Sequence, residues 1–481
     1  MTVAGAGGGA AASSDAGGAL DAPPDGPHRG ALDGILVADL SRILAGPSCT
    51  MQLADMGARV LKIEPPGGDE TRRWGPPFCA GESTYFLSVN RNKESMVIDL
   101  RTDGGVEVLH RILERADVLV ENFRPGALAK LGFGWDVLRE RYPRLVYCSV
   151  SGYGQTGPRA ADPGFDLIAQ GEGGLMSITG VPGGPPTKAG TSQADLLAGL
   201  LATQGVLLAL LARQRSGRGQ LVDVALLDGQ ISQLSYHASA WLNAGVEPRQ
   251  LGNCHPTITP YETFAAADGN LNVGVGTDAM WRAFCGVIGA PDLGADAELA
   301  TNAGRLAHRD SLTPRLAALL AARTVDEWAS RLRAAGVPAG QVQTVPQALA
   351  DAQVLARDMV VAIDHPTAGV LRLPGIPVKL SATPGTIRTP PPRLGEHTDR
   401  ILHDTLGLTQ ATILALRQAG AVAYPAPDAA VRNSGRVIGT ISRGFSRHHG
   451  TLTRYSLDRT RQHGEYEWCR QRSPTAAAAD L

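Results

Sequence analysis

The residues best able to do chemistry in this 481-residue chain are a carboxylate ahead of an apolar run and a scatter of cations in the first third. Asp195 follows the turn-rich stretch GGPPTKAGTSQA and immediately precedes LLAGLLATQG. An Asp in that place caps a helix by accepting its free backbone N–H groups. The same position keeps a carboxylate ionised, which a nucleophilic Asp requires. Both readings stand on the sequence alone. Asp166, in PGFDLIAQGEGG, is a second candidate, either at an active site or as a cap or structural hydrogen-bonder; Phe165 precedes it. His255, in GNCHP, can serve as base or electrophile, or as a structural imidazole. The cations are Lys62, Arg72, Arg73, Arg91, Lys93, Arg101, Arg124 and Lys130. A phosphate-bearing ligand would use Arg as a bidentate donor and Lys as a point charge. The alternative is that they are solvated surface charges.

Other chemistries find little support. The six cysteines form no C-x-x-C pair, which fits reduced thiols in a cytoplasmic protein better than a disulfide frame or zinc site. The histidines show no metal-ligand spacing, so no metal is expected. There is no Gly-x-Ser-x-Gly, no Gly-x-Gly-x-x-Gly after the first strand and no Walker A segment. The 45 basic and 46 acidic residues nearly cancel, which argues against a nucleic-acid or membrane-surface binder. Any anionic ligand must therefore meet a local cluster of cations. Only five of the basic residues are Lys.

Elements must position these groups, and the texture of the chain suggests which. Residues 1–31 are low-complexity and read as a disordered lead without the basic start and apolar segment of a signal peptide. From Gly34 onward, strands expected at 35–40, 59–64, 118–121 and 145–150 alternate with helices expected at 48–56, 106–115 and 135–141. This alternation predicts a parallel sheet covered on both faces, with several cations just past strand ends, where such sheets bind ligands. Two long helices are expected at 194–213 and 222–243. The apolar run 196–212 is interrupted by Thr203, Gln204 and Gly205, so it reads as a buried helix rather than a membrane span. After Pro256, a hairpin turning at Asp268-Gly269 and helices near 278–288 and 313–335 predict a smaller domain. A last helical region is expected at 398–419. Residues 424–481 hold nine Arg, no Lys and five acidic residues, and read as a poorly ordered tail.

Seven segments in order resemble the family III CoA-transferases, the group that includes formyl-CoA transferase, carnitine CoA-transferase and α-methylacyl-CoA racemase. They are LAGPSCTMQLADMGARVLKIEPPGGDETR, VNRNKESMVIDL, ADVLVENFRPGALAKLGFGW, CSVSGYGQTGP, GPPTKAGTSQADLLAG, RSGRGQLVDVALLDG and LGEHTD. The resemblance spans about residues 32–423. It implies that Asp195 is the nucleophile. It also implies a CoA site at Leu44, Ala45, Ile98 to Arg101, Asn122, Phe123, Arg124 and Lys130. Formyl-CoA transferase carries an Arg directly after its Lys-Ile-Glu, where this chain has Pro65; Arg72, Arg73 or Arg91 are the expected substitutes. The racemases place a His before the Asp of the segment reading GFDLIAQ here. This chain has Phe165, which removes an acid/base partner and favours transfer over racemisation. The glycine run that covers the formyl-CoA transferase site is GNCHPTITPYE here, which disfavours formate and oxalate.

The resemblance further implies an α/β fold: a Rossmann-like large domain with a parallel sheet, a smaller α+β domain, and an interlocked homodimer. The expected segments are 32–220 for the first part of the large domain, 221–254 as a linker helix, 255–350 as the small domain and 351–423 as the return to the large domain. The implied activity moves CoA from an acyl-CoA donor to a carboxylic acid through an aspartyl anhydride and an aspartyl-CoA thioester. Dicarboxylates such as succinate are the expected substrates. CoA is then a substrate, with no permanently bound cofactor. Backbone N–H groups near Gly173 and Gly174 are the expected oxyanion donors. A racemase and a non-catalytic CoA-binding protein are the competing readings.

Overall fold

Short runs of apolar and β-branched residues bounded by turn formers give the strands β1 (Leu36–Asp39), β2 (Arg59–Glu64), β3 (Lys93–Ile98), β4 (Val118–Glu121) and β5 (Val146–Ser151). The computed structural model describes residues 30–423. The expectations for the lead, save residues 30 and 31, and for the tail 424–481 lie outside the described residues. A sixth strand, β6 (Leu221–Ala225), completes the parallel set, and a two-residue strand, Val422–Ala423, runs antiparallel along β3. The parallel strands lie in the order β3-β2-β1-β4-β5-β6. Strand order therefore reverses direction between β1 and β4, which creates a switch point outside their carboxyl ends.

Side chains on neighbouring strand positions point to opposite faces, and both faces are covered. Ala38, Leu61, Leu119 and Tyr147 join one core, with Leu109, Phe133 and Leu402. Val37, Val60, Val118 and Val146 join the other, against α1 (Ala45–Asp55) and α4 (Gln193–Ser216), the latter reached after α2 (Asp166–Glu172) and α3 (Leu175–Ile178). A separate core holds the expected hairpin, β7 (Tyr261–Ala265) and β8 (Asn270–Gly274). Ala339–Gln341 is added beside β8, and Trp281, Phe284, Leu316 and Trp328 pack beneath.

Several expectations need correction. α1 starts three residues earlier than read, because Pro47 fits a first helical turn, where its missing N–H would lack a partner anyway. The helix expected at 222–243, and with it the linker helix over 221–254, begins instead as β6, paired in register with β5 from Tyr147↔Leu221 to Ser151↔Ala225. Only then do α5 (Leu226–Gln233) and α6 (Ser235–Ala244) follow, separated where Ser235 adopts φ 45°. The short apolar run LVDVALL fits either period, and pairing decides it. The helix expected at 313–335 is two, Arg309–Leu320 and Val325–Ala334, divided by the Thr324–Glu327 capping box. The region 398–419 likewise divides into Thr398–Arg400, a π-helical turn at Ile401–Thr405, and Gln410–Gln418.

The apolar helix α4 is buried on one face only. Ala194, Ala198, Ala202, Val206 and Ala209 pack inward, while Leu200, Leu207, Leu208 and Leu211 face outward. Among the described residues it is the one helix long and apolar enough to cross a membrane.

Candidate active site

The switch point holds a cavity of about 430 Å³. Leu44 and Ala45 from the start of α1, Asn122 to Arg124 after β4, Ser151 and Gly152 after β5, Phe165 before α2 and Asp195 in α4 all line it. Seven of the residues singled out in the sequence therefore meet at one place: Leu44, Ala45, Asn122, Phe123, Arg124, Phe165 and Asp195.

The loop leading into α1 is held in an unfavourable conformation. Ile43 has φ 70°, in the left-handed region that β-branched residues avoid. Three sets of bonds hold it. The Asn122 side chain accepts the Arg42 N–H at 2.8 Å and donates to the Arg42 carbonyl at 2.7 Å. Asp69 accepts the Ile43 N–H at 3.3 Å. Lys62 Nζ donates to the Ser41 carbonyl at 3.1 Å and pairs with Asp69 at 2.9 Å. Both members of that pair are fully buried. Burial opposes the Asp69 charge, but Lys62 and the Thr71 N–H hold its carboxyl down at about 2. Lys93 is also buried and bonds Asp39, Asn90 and the Pro47 carbonyl; burial lowers its ammonium to about 8. The first N–H groups of α1 have no partners within the helix, and Ala45, which carries one of them, lines the cavity. Arg42 lies 4.9 Å over the Phe123 ring and is neutralised by Glu70.

A close helix crossing positions Asp195. A Cβ on Gly199 would lie 2.0 Å from Ser48 Oγ and 2.8 Å from the Ala45 carbonyl. Only glycine lets the first turns of α4 and α1 meet so closely. Asp195 is not the helix cap that its position suggested. It is the third residue of α4, and the flanking Ser192 makes no side-chain cap bond. The cap comes from another helix, since Asp166 Oδ1 accepts the Ala194 N–H at 2.8 Å. Gln170 donates to the other Asp166 oxygen at 2.8 Å. Asp166 thus holds the start of α4 and does not line the cavity. Burial, together with the Asp166 charge, pushes the Asp195 carboxyl up to about 7. Burial and the Asp166 charge thus work against the ionised form that a place at a helix start was expected to favour.

The cation expectations divide sharply. Arg72 is clamped by both Glu64 oxygens at 2.7 Å, donates to the Pro392 carbonyl and stacks 3.7 Å over Phe86. Arg91 is buried against Asp55 and the Pro374 carbonyl. Neither can meet a phosphate without abandoning a buried carboxylate, so neither replaces the arginine missing at Pro65. Arg73 is exposed, binds the Gly67 carbonyl and stands outside the cavity. Ile98 belongs to the core, and Arg101 folds back on Asp99. Arg124 and Lys130 are exposed, without ion-pair partners among the described residues, and Arg124 also borders a second hollow of about 310 Å³. His255 lies in a different pocket from Asp195. The Gly173 and Gly174 N–H groups are already donated to the Ala169 and Gly171 carbonyls, so they are not oxyanion donors.

Two aromatic residues escaped the sequence reading. Trp74 lines the cavity, and the Tyr85 ring meets it edge-on at 5.1 Å. Burial and the nearby Asp195 and Asp166 charges raise the Tyr85 phenol to about 12. The run TYFLSVN offered no signal beyond two adjacent aromatics in a mixed stretch.

A fold with its cavity at a parallel-sheet switch point, and in its wall an unpaired carboxyl and the free cation Arg124, defines an enzyme that handles an anionic substrate. The sequence matches CoA-transferase family III over residues 32–398, and the chain belongs to that family. It is 38% identical over 392 residues to the mouse succinyl-CoA:glutarate CoA-transferase, covering 81% of this chain and 90% of that protein. It is 41% identical to the Agrobacterium fabrum succinate–glutarate CoA-transferase, covering 77% and 94%. A solved CAIB/BAIF family protein from Brucella suis superposes with a TM-score of 0.71 at 38% identity, covering 79% of this chain and all of that one. The protein is a family III CoA-transferase.

Proposed function

We propose that this enzyme moves CoA between carboxylic acids through covalent chemistry at Asp195, with short dicarboxylates such as succinate and glutarate as donor acyl group and acceptor. The observation that carries the mechanism is the Asp195 carboxyl, which stands in the cavity wall without an ion-pair or hydrogen-bond partner among the described residues. The named activities of the relatives support the substrate class.

The ionised Asp195 oxygen attacks the thioester carbonyl, forming a C–O bond and expelling CoA thiolate as the C–S bond breaks. The thiolate then attacks the aspartyl carbonyl of the mixed anhydride. This releases the donor acid and leaves an aspartyl-CoA thioester. An acceptor carboxylate attacks that thioester, and the returning thiolate attacks the acceptor's side of the new anhydride. Acyl-CoA leaves and the Asp195 carboxylate is restored. No step spends a nucleotide, because activated carbonyls of similar energy are exchanged. Attack moves negative charge from Asp195, where dehydration disfavours it, toward the carbonyl oxygen, for which the N–H of Ala45, at the start of α1 in the cavity wall, is a candidate donor.

Phe165 contributes apolar wall and offers no proton, which supports transfer over racemisation. The outward leucines of α4, with Tyr236, Trp241 and Leu242 of α6, give the apolar surface that the proposed interlocked homodimer would cover. Incubation with succinyl-CoA and intact-mass analysis tests the mechanism. A CoA adduct on Asp195 that disappears together with transfer in Asp195→Ala is expected. Undiminished transfer in that variant overturns the mechanism.

A further inference from the structure

Glu121 ends β4 at the switch point, and the transfer chemistry at Asp195 gives it no role. It is buried, yet among the described residues no Lys or Arg pairs with it. Asp39, Asp55, Glu64 and Asp69 are also buried, and each faces a cation: Lys93, Arg91, Arg72 and Lys62 in turn. An unpaired carboxylate inside a protein is costly unless hydrogen bonds satisfy it. Burial, with the Asp223 charge adding to it, pushes the Glu121 carboxyl up to about 7 against bonds from Ser149 and Phe123 that favour the charged form.

Those bonds belong to one line that crosses three strands. Glu121, Ser149 and Asp223 lie side by side in register on β4, β5 and β6. The Asp223 carboxylate accepts the Gln155 N–H at 2.9 Å, and Gln155 Nε2 donates to Ser149 Oγ at 2.9 Å. Ser149 in turn donates its one hydroxyl hydrogen to Glu121 Oε1. The second Glu121 oxygen accepts the Phe123 N–H at 2.7 Å. Both carboxyl oxygens are thereby used, and the last bond of the line falls on the turn that carries Asn122, Phe123 and Arg124.

Within that turn the side chains divide. Asn122 bonds the N–H and the carbonyl of Arg42, and the Phe123 ring lies beneath the Arg42 guanidinium, so both hold the loop before α1. Arg124 is left exposed and free of ion pairs among the described residues. It lines the Asp195 cavity and also the hollow of about 310 Å³, whose wall includes Glu121. The Arg124 carbonyl accepts the Ala127 N–H at 3.0 Å, which ties the turn at its far end. Glu121 ties it at the near end, and the free guanidinium stands between the two.

We infer that Glu121 is a positioning residue: by taking the Phe123 N–H it sets the turn so that Arg124 meets an anionic group of acyl-CoA beside Asp195. This rests on the reading that acyl-CoA occupies that cavity. The anionic group is a CoA phosphate or the acyl carboxylate, and the experiment separates the two. Glu121 acts through Arg124, so removing both residues costs little more than removing Arg124. A general loosening of the fold would instead add its own loss to that of the cation.

The experiment titrates CoA and succinyl-CoA by calorimetry into the full-length Asp195→Ala enzyme, without an acceptor acid, so binding is read apart from transfer. The same titrations are made with Glu121→Met, Glu121→Gln, Arg124→Met and the Glu121→Met, Arg124→Met pair added. Arg124→Met should weaken binding about tenfold, the worth of one charge-assisted contact, and Glu121→Met about fivefold or more. The pair should bind within about twofold of Arg124→Met. Glu121→Gln keeps an oxygen for the Phe123 N–H and should stay within about threefold of its parent. Loss with both ligands places a CoA phosphate at Arg124, and loss with succinyl-CoA alone places its carboxylate there. Losses that multiply in the pair overturn the inference, as does a Glu121→Gln loss equal to that of Glu121→Met. Loss in Arg124→Met alone overturns the positioning role and keeps acyl-CoA at the turn. Loss in Glu121→Met alone overturns it too, because the effect then bypasses Arg124. No loss in either removes acyl-CoA from the turn, and the inference falls with that reading. If Glu121→Met does not fold, Ser149→Ala removes the donor to Glu121 and takes its place in the same cycle, with a loss of about threefold that again does not multiply. With Asp195 intact, Glu121→Met should raise the KM for succinyl-CoA and leave kcat within about twofold; a fall in kcat at constant KM overturns the assignment.

Discussion

Asp195→Asn should make the protein more stable as pH rises from 4 to 8, relative to wild type. The Asp195 carboxyl ionises near 3.8 when hydrated and at about 7 in the fold. Below pH 4 both states keep the proton and the residue contributes nothing. Between pH 4 and 7 the unfolded chain releases the proton while the folded chain retains it, so stability falls as pH rises. Above pH 7 the full penalty is present. At about 1.4 kcal/mol per pH unit it reaches about 4 kcal/mol. Asn keeps the shape and cannot ionise. Its own cost of burying an amide is independent of pH, so the difference between pH 8 and pH 4 isolates the charge. Urea unfolding at fixed protein concentration should show the Asn variant gaining about 4 kcal/mol on wild type between those pH values. In melting temperature this is roughly 4–8 °C, taking 1–2 °C per kcal/mol for a chain longer than the domains that give 2–4 °C. A stability difference between variant and wild type that stays flat with pH would falsify the claim that dehydration of this carboxylate, relieved on acylation, is built into the site.

Other tests follow from the same geometry. kcat/KM should rise with pH through about 7 as Asp195 ionises, and Asp166→Asn, which keeps an oxygen for the Ala194 N–H, should move that rise to lower pH in initial-rate measurements. Lys62→Met leaves Asp69 buried and unpaired, so it should cost about 3–5 kcal/mol in urea unfolding; a loss under 1 kcal/mol would mean the pair does not hold the Ile43 loop. Asn122→Ala frees both bonds to Arg42 and should raise the KM for acyl-CoA more than it lowers kcat. Gly199→Ala forces a Cβ against Ser48 and Ala45, so it should cut transfer at least tenfold, with partial recovery in the double variant with Ser48→Ala.

The parts of the site that were legible in the sequence came by two routes: Arg124 and Asp195 from residue type and local pattern, and Leu44, Ala45, Asn122 and Phe123 from the family resemblance. Leu44 and Ala45 follow a strand and open a helix, Asn122 to Arg124 follow another, and Asp195 sits beside an apolar run; a doubly wound sheet gathers all such ends at its switch point. What was not legible depends on pairing between distant residues. Arg72 and Arg91 have the composition of phosphate ligands, yet Glu64 and Asp55 claim them, and nothing in the spacing says which carboxylate an arginine will meet. The run at 221 fits strand or helix until β5 supplies hydrogen-bond partners. The ionisation of Asp195 depends in the same way on distance in space. Its helix position argues for a stable anion, whereas burial and Asp166, twenty-nine residues earlier, argue against one. That conflict is itself chemically useful. A fully neutralised carboxylate would be a settled ion-pair partner, as Asp55 and Glu64 are, and a poor nucleophile. The fold has committed Arg72 and Arg91 elsewhere and left Asp195 without an arginine, which is what the proposed covalent mechanism requires: a charge that can leave through a new bond.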